Sequence, residues 1–246
     1  MKQQFYFGSN TKRDLSRASH LEMLTAATEL AKNFADVQYF LLPPAPLFGE
    51  LKARSTGTGV WIGSQQVTAT SGRNVTGEIS GDLLAEIGSE IVMVGHAERR
   101  SMGEDGMIAD AQLQNVADAN LRALLCIGEN VQSSEILRRD VYSSQLSILK
   151  KHRNLEILIA YEPIFSIGVG ANAAPTDYVE ESIQIIRELL GEMGFETTPI
   201  LYGGSINSEN AHEYSSICQG LFVGRSAWSG EGYREVFLAA NRTRKK

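Results

Sequence analysis

The sequence predicts an α/β protein in which eight strands and the helices between them close into a single (β/α)8 barrel. Short apolar runs alternate with amphipathic stretches along the chain. Most runs are nearly continuously apolar, as in parallel strands that are buried on both faces. The chain has 246 residues, a length that α/β barrels use as one domain. No linker or low-complexity tract divides it, so residues 1–246 are predicted to form one domain.

The predicted strands are apolar or β-branched runs that lie at residues 5–8, 37–42, 60–63, 91–95, 123–127, 155–161, 200–202 and 221–223. Between the first two runs, residues 13–33 carry apolar side chains at helical spacing, with Lys and Glu on the other faces. The apolar positions are Leu21, Leu24, Ala27 and Ala31. This segment is therefore predicted to be an amphipathic helix whose apolar side packs on the barrel.

A second helix is predicted over residues 176–190. Thr176 follows Pro175 and is a suitable N-cap. The apolar stripe of this helix consists of Val179, Ile183, Ile186 and Leu190. A stripe of this kind is ordinary helix core, and no cofactor is inferred from it.

Composition and charge exclude several classes of protein. The net charge is −6, whereas phosphate backbones bind to concentrated basic faces, so no nucleic-acid partner is expected. No segment approaches the ~18 apolar residues of a membrane span, and the apolar run before Asn10 is too short for a signal peptide. Cys126 and Cys218 offer neither a disulfide framework nor zinc spacing. A cytoplasmic protein in a reducing compartment, without membrane association, is expected.

The residues with chemical potential all follow the carboxyl ends of predicted strands, which is the face where barrel enzymes place their sites. In chain order they are Asn10, Lys12, His96, Glu162, Ser205 and Gly224. Singly, each is more often a surface or turn residue. Together they supply a carboxylate, an imidazole, an ammonium group and glycine-flanked backbone N–H groups. Such a set can move a proton next to a carbonyl while it holds an anion such as phosphate.

Glu162 stands out because it ends an apolar strand and precedes Pro163 and a glycine-bearing loop. An acid on a rigid strand end beside a loop that closes is well placed to act as a base shielded from water. The loop segment 168–173 matches the G-x-G-x-x-A spacing of dinucleotide sites, but it does not start at the strand end as such sites require. No organic cofactor and no metal site are predicted, because a proton shift beside a carbonyl needs neither.

Four motifs together resemble the triosephosphate isomerase family: Gly-His-x-Glu-Arg-Arg, Cys-Ile-Gly-Glu, Ala-Tyr-Glu-Pro and Tyr-Gly-Gly-Ser. The resemblance runs nearly end to end and implies a TIM barrel that interconverts aldose and ketose phosphates without a cofactor. By resemblance, Glu162 would abstract the carbon-bound proton, and neutral His96 would polarise the carbonyl and shuttle protons between the oxygens. Lys12 would stabilise the enediolate, with Asn10 completing its surroundings.

The same resemblance implies how the substrate and the subunits are held. Backbone N–H groups of Gly168, Ser205, Gly224 and Arg225 would bind the phosphate. Residues 163–173 would form a lid that excludes water and so discourages loss of phosphate. Residues 64–82 are a long polar loop that, in the family, inserts into a neighbouring subunit. A loop of this length in a compact barrel usually has such a function, so a homodimer is expected.

The chain departs from the family's pattern at several places. Thr11 stands where an aromatic residue is usual, Ala97 where a serine holds the resting glutamate, and Phe165 where the lid has tryptophan. Residues 169–172 replace the usual Thr-Gly-Lys-Thr of the lid. The segment Gly-Arg-Ser-Ala-Trp at 224–228 is similar to a branch that isomerises four-carbon ketose phosphates in erythritol breakdown.

Several functions therefore stay open at this point. The first is triosephosphate isomerisation, with a place in glycolysis or gluconeogenesis. The second is isomerisation of a four-carbon ketose phosphate such as L-erythrulose 1-phosphate. Under that interpretation the Arg225 side chain would reach the phosphate or an additional hydroxyl; otherwise only its backbone N–H is used. A catalytically inactive binding barrel is a third alternative, which intact Lys12, His96 and Glu162 disfavour.

Overall fold

The computed structural model describes residues 4–13, 15–70, 72, 74–168 and 170–244. Within these residues the strands are β1 (Phe5–Asn10), β2 (Val37–Leu42), β3 (Trp61–Ile62), β4 (Ile91–Val94), β5 (Arg122–Ile127), β6 (Ile157–Tyr161), β7 (Ile200–Tyr202) and β8 (Gly220–Val223). They form one sheet in the order β3-β2-β1-β8-β7-β6-β5-β4, and each assigned pair is parallel.

The sheet closes between its two edge strands. Ser64, just after β3, forms a parallel bridge with Val92 in β4. The Ser64 N–H donates to the Ile91 carbonyl at 2.9 Å, and the Met93 N–H donates to the Ser64 carbonyl at 2.9 Å. With helices between the strands, this is the predicted single (β/α)8 TIM barrel, and the fold prediction is confirmed.

Helices follow most of the strands in the described part of the chain. They are α1 (Arg17–Asn33), α2 (Ala45–Ser55), α3 (Gly81–Glu86), α4 (Ala97–Ser101), α5 (Gly106–Asp118), α6 (Glu135–Leu146), α7 (Thr176–Glu192), α8 (Ala211–Tyr214) and α9 (Gly230–Ala240). Short 3-10 turns lie at Ser147–Lys151, Ile164–Ser166 and Arg225–Ala227. No helix among the described residues is long and apolar enough to cross a membrane.

The barrel interior is filled by a cluster of buried side chains that includes Phe40 and Phe222. Phe40 and Phe222 stack there with ring centroids 5.9 Å apart. Gly8 in β1 makes room for Phe40, because a Cβ at this position would lie 2.0 Å from the Phe40 ring. The aromatic pair closes the barrel beneath its carboxyl end, where Phe222 also contributes to the floor of a cavity.

Both helices predicted in detail are present, but their first residues or buried faces differ from the prediction. α1 begins at Arg17 because the Ser16 side chain accepts the Ser19 N–H, which caps the helix. Its buried face includes His20 and Met23 as well as Leu24 and Ala27, whereas the predicted Leu21 and Ala31 are only half-buried.

In α7 the predicted stripe is entirely buried. However, Thr176 is the first helical residue, not the N-cap. Pro175 occupies the cap with an extended backbone (φ −53°, ψ 143°) and provides no side-chain cap bond. Proline cannot donate a backbone hydrogen bond, so it is well tolerated at a helix start.

Candidate active site

The carboxyl ends of the strands surround a cavity of about 530 Å³, a size typical of small-molecule sites. The structure brings all eight predicted site residues to its wall: Asn10, Lys12, His96, Glu162, Gly168, Ser205, Gly224 and Arg225. Residues separated by more than 200 positions in the chain therefore share one pocket. The orientation of each side chain in the pocket is set by the backbone and the hydrogen bonds at the end of its strand.

Glu162 is fixed by β6 and by its neighbour β5. Its N–H donates to the Ile127 carbonyl at 2.8 Å, which continues the strand ladder to the last residue before Pro163. Gly128, after β5, permits this approach, because a Cβ there would lie 2.0 Å from the Glu162 carbonyl oxygen. Gly203, after β7, leaves room for the side chain, since its Cβ would lie 2.8 Å from Glu162 Cγ. Two glycines thus define where the carboxylate sits.

The Glu162 carboxylate is buried and incompletely paired. The residue is only 4% exposed, and its Oε2 has no hydrogen-bond partner among the described residues. Ala97 opens α4 with a methyl group, where the resembled family usually offers a serine hydroxyl. An unpaired buried carboxylate oxygen is costly to maintain, and such atoms in native proteins commonly face a ligand or water. Oε2 is itself shielded from solvent, whereas Oε1 is the oxygen that lies opposite the His96 imidazole.

The carboxylate also affects a buried thiol in β5. Burial raises the pKa of Cys126 well above its usual value, and the nearby negative charge of Glu162 raises it further. Cys126 therefore remains a neutral thiol at physiological pH. As an uncharged group it adds no second negative charge near the Glu162 carboxylate.

His96 is oriented by the start of α4. Gly95 turns the chain after β4 with a φ of +71°, and His96 then occupies the N-cap position. Its Nδ1 accepts the Glu98 N–H at 3.2 Å, so Nδ1 is unprotonated and Nε2 carries the proton. Nε2 lies 3.7 Å from Glu162 Oε1 across the cavity. A neutral imidazole with its N–H directed into the pocket is a hydrogen-bond donor for a substrate oxygen.

Lys12 reaches the cavity because the chain turns sharply after β1. Its φ of +52° is in the left-handed region, which lysine seldom adopts. The Asn10 Oδ1 stabilises this turn by accepting the Lys12 N–H at 2.9 Å. The Lys12 Nζ forms an ion pair with Glu98 at the cavity edge. The ammonium group is therefore held beside His96 by a carboxylate that also lines the pocket.

The segment after β8 is hydrogen-bonded to the turn that follows β1. The Trp228 indole N–H donates to the Asn10 carbonyl at 3.0 Å, and both residues line the cavity. The Arg225 side chain is exposed and donates to the Gly168 carbonyl in the predicted lid segment. The guanidinium thus contacts the lid backbone.

The predicted lid, residues 163–173, lies against β7 and its following loop; Val169, which belongs to it, is outside the described residues. The Ser166 carbonyl accepts both the N–H and the hydroxyl of Ser205, at 3.1 and 2.7 Å. Just after the segment, the Ala174 N–H donates to the Tyr202 hydroxyl at 3.2 Å. The Ser205 N–H is engaged by the lid here, so it has to exchange this partner before it can bind a phosphate.

The start of the lid packs on Tyr178, whose hydroxyl binds the buried carboxylate of Glu129. Phe165 lies edge-on to Tyr178, with ring centroids 5.8 Å apart. Glu129, only 3% exposed, accepts hydroxyl hydrogen bonds from Tyr142 (2.8 Å), Tyr161 (3.0 Å) and Tyr178 (2.7 Å). Burial raises the pKa of Tyr161 well above its usual value, so its hydroxyl remains a donor. Phe165, near the start of the lid, therefore packs on a tyrosine whose hydroxyl is hydrogen-bonded to Glu129.

Several residues of the pocket were not predicted from the sequence. Among them are Glu98, Ile167, Gly203, Phe222, Ser226 and Trp228. Glu98 and Gly203 lie inside motifs that did signal the site, two residues after His96 and two before Ser205. Ile167 and Phe222 have no chemical signature, because apolar pocket walls look like core in a sequence.

A second, larger cleft of about 670 Å³ lies at the opposite end of the barrel, where β5 and β6 begin. Several of its charged groups pair with one another or with neighbours. Arg122 binds Glu156 at 2.5 Å, and both Lys151 and His152 bind Asp110. Among the described residues, no group of three or more His, Cys, Asp or Glu side chains is arranged to hold a metal ion. The convergent, incompletely paired groups are those of the smaller cavity.

Comparison with known proteins agrees with this arrangement. The model of the family described as triosephosphate isomerase matches residues 5–240, which is nearly the whole chain. The chain belongs to the triosephosphate isomerase family. It is therefore an isomerase, and the corresponding predictions of family and enzyme class are confirmed.

Individual relatives of this isomerase carry two kinds of name. L-erythrulose-1-phosphate isomerase of Brucella melitensis is 32% identical over 249 residues, covering 95% of each chain. The protein of the same name from Mesorhizobium japonicum is 29% identical over 251 residues, covering 98% of this chain and 99% of the relative. Probable triosephosphate isomerase 2 of Listeria monocytogenes is 30% identical over 248 residues, covering 96% and 97%.

Proposed function

We propose that the protein interconverts an aldose phosphate and a ketose phosphate by proton transfer through an enediolate. The observation that carries this proposal is the convergence of three groups on one cavity. A buried carboxylate (Glu162) faces a neutral imidazole N–H (His96) at 3.7 Å, and an ammonium group (Lys12) lies at the rim. These are a base, a hydrogen-bond donor for an oxygen and a positive charge for the intermediate.

In the proposed mechanism, the Glu162 carboxylate removes a proton from the carbon next to the carbonyl, and the bonding electrons form the enediolate. The Nε2–H of His96 donates to the carbonyl oxygen, and the ring then moves a proton between the two oxygens. Glu162 returns its proton to the neighbouring carbon. Lys12, positioned by Asn10, stabilises the negative charge of the intermediate. The oxidation change stays within the substrate, so the step consumes no external oxidant or reductant.

The phosphate is proposed to bind on the β7–β8 side of the cavity, at the backbone N–H groups of Gly168, Ser205, Gly224 and Arg225. All four residues line the pocket on that side. Binding would exchange the contact between Ser205 and Ser166 for a contact with phosphate. The lid contacts of Arg225 and Tyr202 would then hold the segment over the intermediate and exclude water.

For the substrate, we propose a four-carbon ketose phosphate of the L-erythrulose 1-phosphate type. Support comes from the relatives that carry this name across nearly the whole chain. The Gly-Arg-Ser-Ala-Trp segment at 224–228 also supports a four-carbon substrate, because it is similar to the branch that acts on four-carbon ketose phosphates. A three-carbon substrate remains the second candidate, supported by the family description and by the Listeria relative. Only with that substrate would a role in glycolysis or gluconeogenesis follow.

The test compares kcat/KM for L-erythrulose 1-phosphate and for D-glyceraldehyde 3-phosphate on the same preparation. We expect the four-carbon substrate to be preferred at least about tenfold, because one extra carbon that fits a pocket is worth about 10- to 200-fold. Glu162→Asp retracts the carboxylate by about 1 Å and should lower kcat about 10²-fold for the preferred substrate. A preference for the three-carbon substrate refutes the four-carbon proposal. Unchanged turnover in Glu162→Asp refutes the mechanism.

Arg225→Gly separates two roles of the arginine. If the side chain acts through the lid, both substrates should lose kcat/KM by similar factors, because the lost bond to the Gly168 carbonyl serves either substrate. If it reads a hydroxyl of the fourth carbon, the loss should be confined to the four-carbon substrate. The contact in the structure favours the first outcome.

We propose further that the enzyme is a cytoplasmic homodimer. Cys126 is a free, buried thiol, which suits a reducing compartment. Within loop 64–82, Ser71 and Arg73 lie outside the described residues, whereas Val75 is 43% exposed, an apolar side chain available to a neighbouring subunit. Light scattering at micromolar concentration should give twice the 26.9 kDa chain mass. A fully active monomer contradicts the dimer.

A further inference from the structure

A buried histidine lies directly beneath the residue that connects Asn10 and Lys12. His20, in the first turn of α1, is 1% exposed. Its Nδ1 lies 2.7 Å from the Ser16 carbonyl oxygen, and its Nε2 lies 2.8 Å from the Thr11 hydroxyl. Thr11 is fully buried as well. A helix on the outside of the barrel is thereby joined to the turn that carries the proposed cation.

The proton positions follow from the partners. A carbonyl oxygen only accepts, so Nδ1 of His20 carries the proton. Burial lowers the pKa of His20, against a smaller opposing effect of the Ser16 carbonyl, so the ring is neutral at pH 7. Nε2 is then an acceptor, and the Thr11 hydroxyl donates to it. The Leu42 carbonyl oxygen is a second acceptor within reach of that hydroxyl, at 3.2 Å against 2.8 Å for His20 Nε2. This carbonyl already accepts from the Thr11 N–H (3.2 Å) and from Gln65 Nε2 (2.8 Å).

This bond matters for Lys12 because the lysine backbone adopts an unfavourable conformation. A φ of +52° is disfavoured for a residue with a Cβ and persists only where neighbours fix it. Asn10 Oδ1 holds the Lys12 N–H at 2.9 Å, and Gln65 Nε2 donates to the Lys12 carbonyl at 2.8 Å. Thr11 is the residue between these contacts, and its side chain is anchored by His20.

We propose that His20 and Thr11 form a positioning pair that holds Lys12 in the left-handed conformation its ammonium group needs to reach the cavity. Neither side chain lines the cavity, so both act through Lys12. The proposal rests on the proposed function of Lys12. It assigns a purpose to Thr11, one of the positions where this chain departs from the pattern of its family.

The most direct test compares Thr11→Val with Thr11→Ser. Valine keeps the shape but removes the hydroxyl, whereas serine keeps the hydroxyl and loses only a methyl group. We expect Thr11→Val to lower kcat/KM about 10- to 100-fold, because displacing a site group by about 1 Å has effects of this size. Thr11→Ser should remain within about threefold of wild type. Equal kcat/KM values in the two variants overturn the proposal.

His152 provides a matched control for the loss of a buried histidine. It is 5% exposed, its Nε2 lies 2.9 Å from Asp110, and it lies at the opposite end of the barrel. His152→Phe should lower the melting temperature without changing kcat/KM, whereas His20→Phe should lower kcat/KM as Thr11→Val does. In the double variant of His20 and Thr11, the two losses should not multiply. Multiplicative losses show independent residues and overturn the pair.

Lys12→Met, measured in parallel, separates this proposal from the proposed function. It should abolish most of kcat/KM and weaken binding of a phosphorylated enediolate analogue. If Lys12→Met has that effect while Thr11→Val has wild-type kcat/KM, the positioning pair is wrong and the proposed function stands. If Lys12→Met leaves kcat/KM unchanged, the proposed function of Lys12 fails, and the pair fails with it. If His20→Phe does not fold, the comparison of Thr11→Val with Thr11→Ser decides the matter alone.

Discussion

Gly203→Ala should move the proposed base without changing any chemical group. A Cβ at this position would lie 2.8 Å from Glu162 Cγ, 3.2 Å from Oε1 and 3.4 Å from Cδ. Carbon atoms pack at about 3.5–4.0 Å, so the side chain must retreat by roughly 0.7–1.2 Å. Misplacement by about 1 Å typically costs ~10²-fold in rate, equivalent to about 2.7 kcal/mol of barrier.

The assay is kcat and KM with the preferred substrate, together with the inhibition constant of inorganic phosphate. We expect kcat to fall about 10²-fold while phosphate inhibition changes little, because the three nearest atoms to the added Cβ all belong to Glu162 and none to the proposed phosphate-binding residues. Gly49→Ala is the matched control: this exposed glycine in α2 has no atom within 4 Å of an added Cβ. Wild-type kcat in a folded Gly203→Ala protein would show that the position of Glu162 does not govern the reaction.

Two further predictions concern stability. Burial by itself would raise the pKa of Asp110, but Lys151 and His152 outweigh burial and lower that pKa. The ionised Asp110 carboxylate therefore stabilises the fold above pH ~4, and this stabilisation is lost as the pH falls through the lowered pKa. Asp110→Asn should therefore reduce the free energy of unfolding by about 1 kcal/mol at pH 7 and much less at pH 3, measured with urea; an equal difference at both pH values contradicts this. Gly8→Ala places a methyl group 2.0 Å from the Phe40 ring and should cost about 3 kcal/mol, which Phe40→Leu should partly restore in the double variant.

The sequence was sufficient for the barrel because most strands are buried on both faces and therefore appear as nearly continuous apolar runs. It was also sufficient for the position of the pocket, since barrel topology brings all strand ends together. It could not predict partners that depend on tertiary packing. The ion pair of Lys12 with Glu98 spans 86 positions in the chain. His20 is a polar residue that is buried because its ring is hydrogen-bonded, so the apolar pattern of α1 did not include it. The pattern placed Leu21 on the buried face instead.

The closure of the barrel between β3 and β4 has a consequence for how the molecule opens. β1 and β2 pair through six residue positions, whereas β3 has only two residues and meets β4 through the bridge from Ser64 to Val92. Local opening requires the least disruption where the ladder is shortest. In native-state hydrogen exchange, the amides of Ser64 and Met93 should exchange sooner than those of β1. Because this seam lies between loop 64–82 and His96, its transient separation would loosen the imidazole while the opposite half of the barrel stays intact.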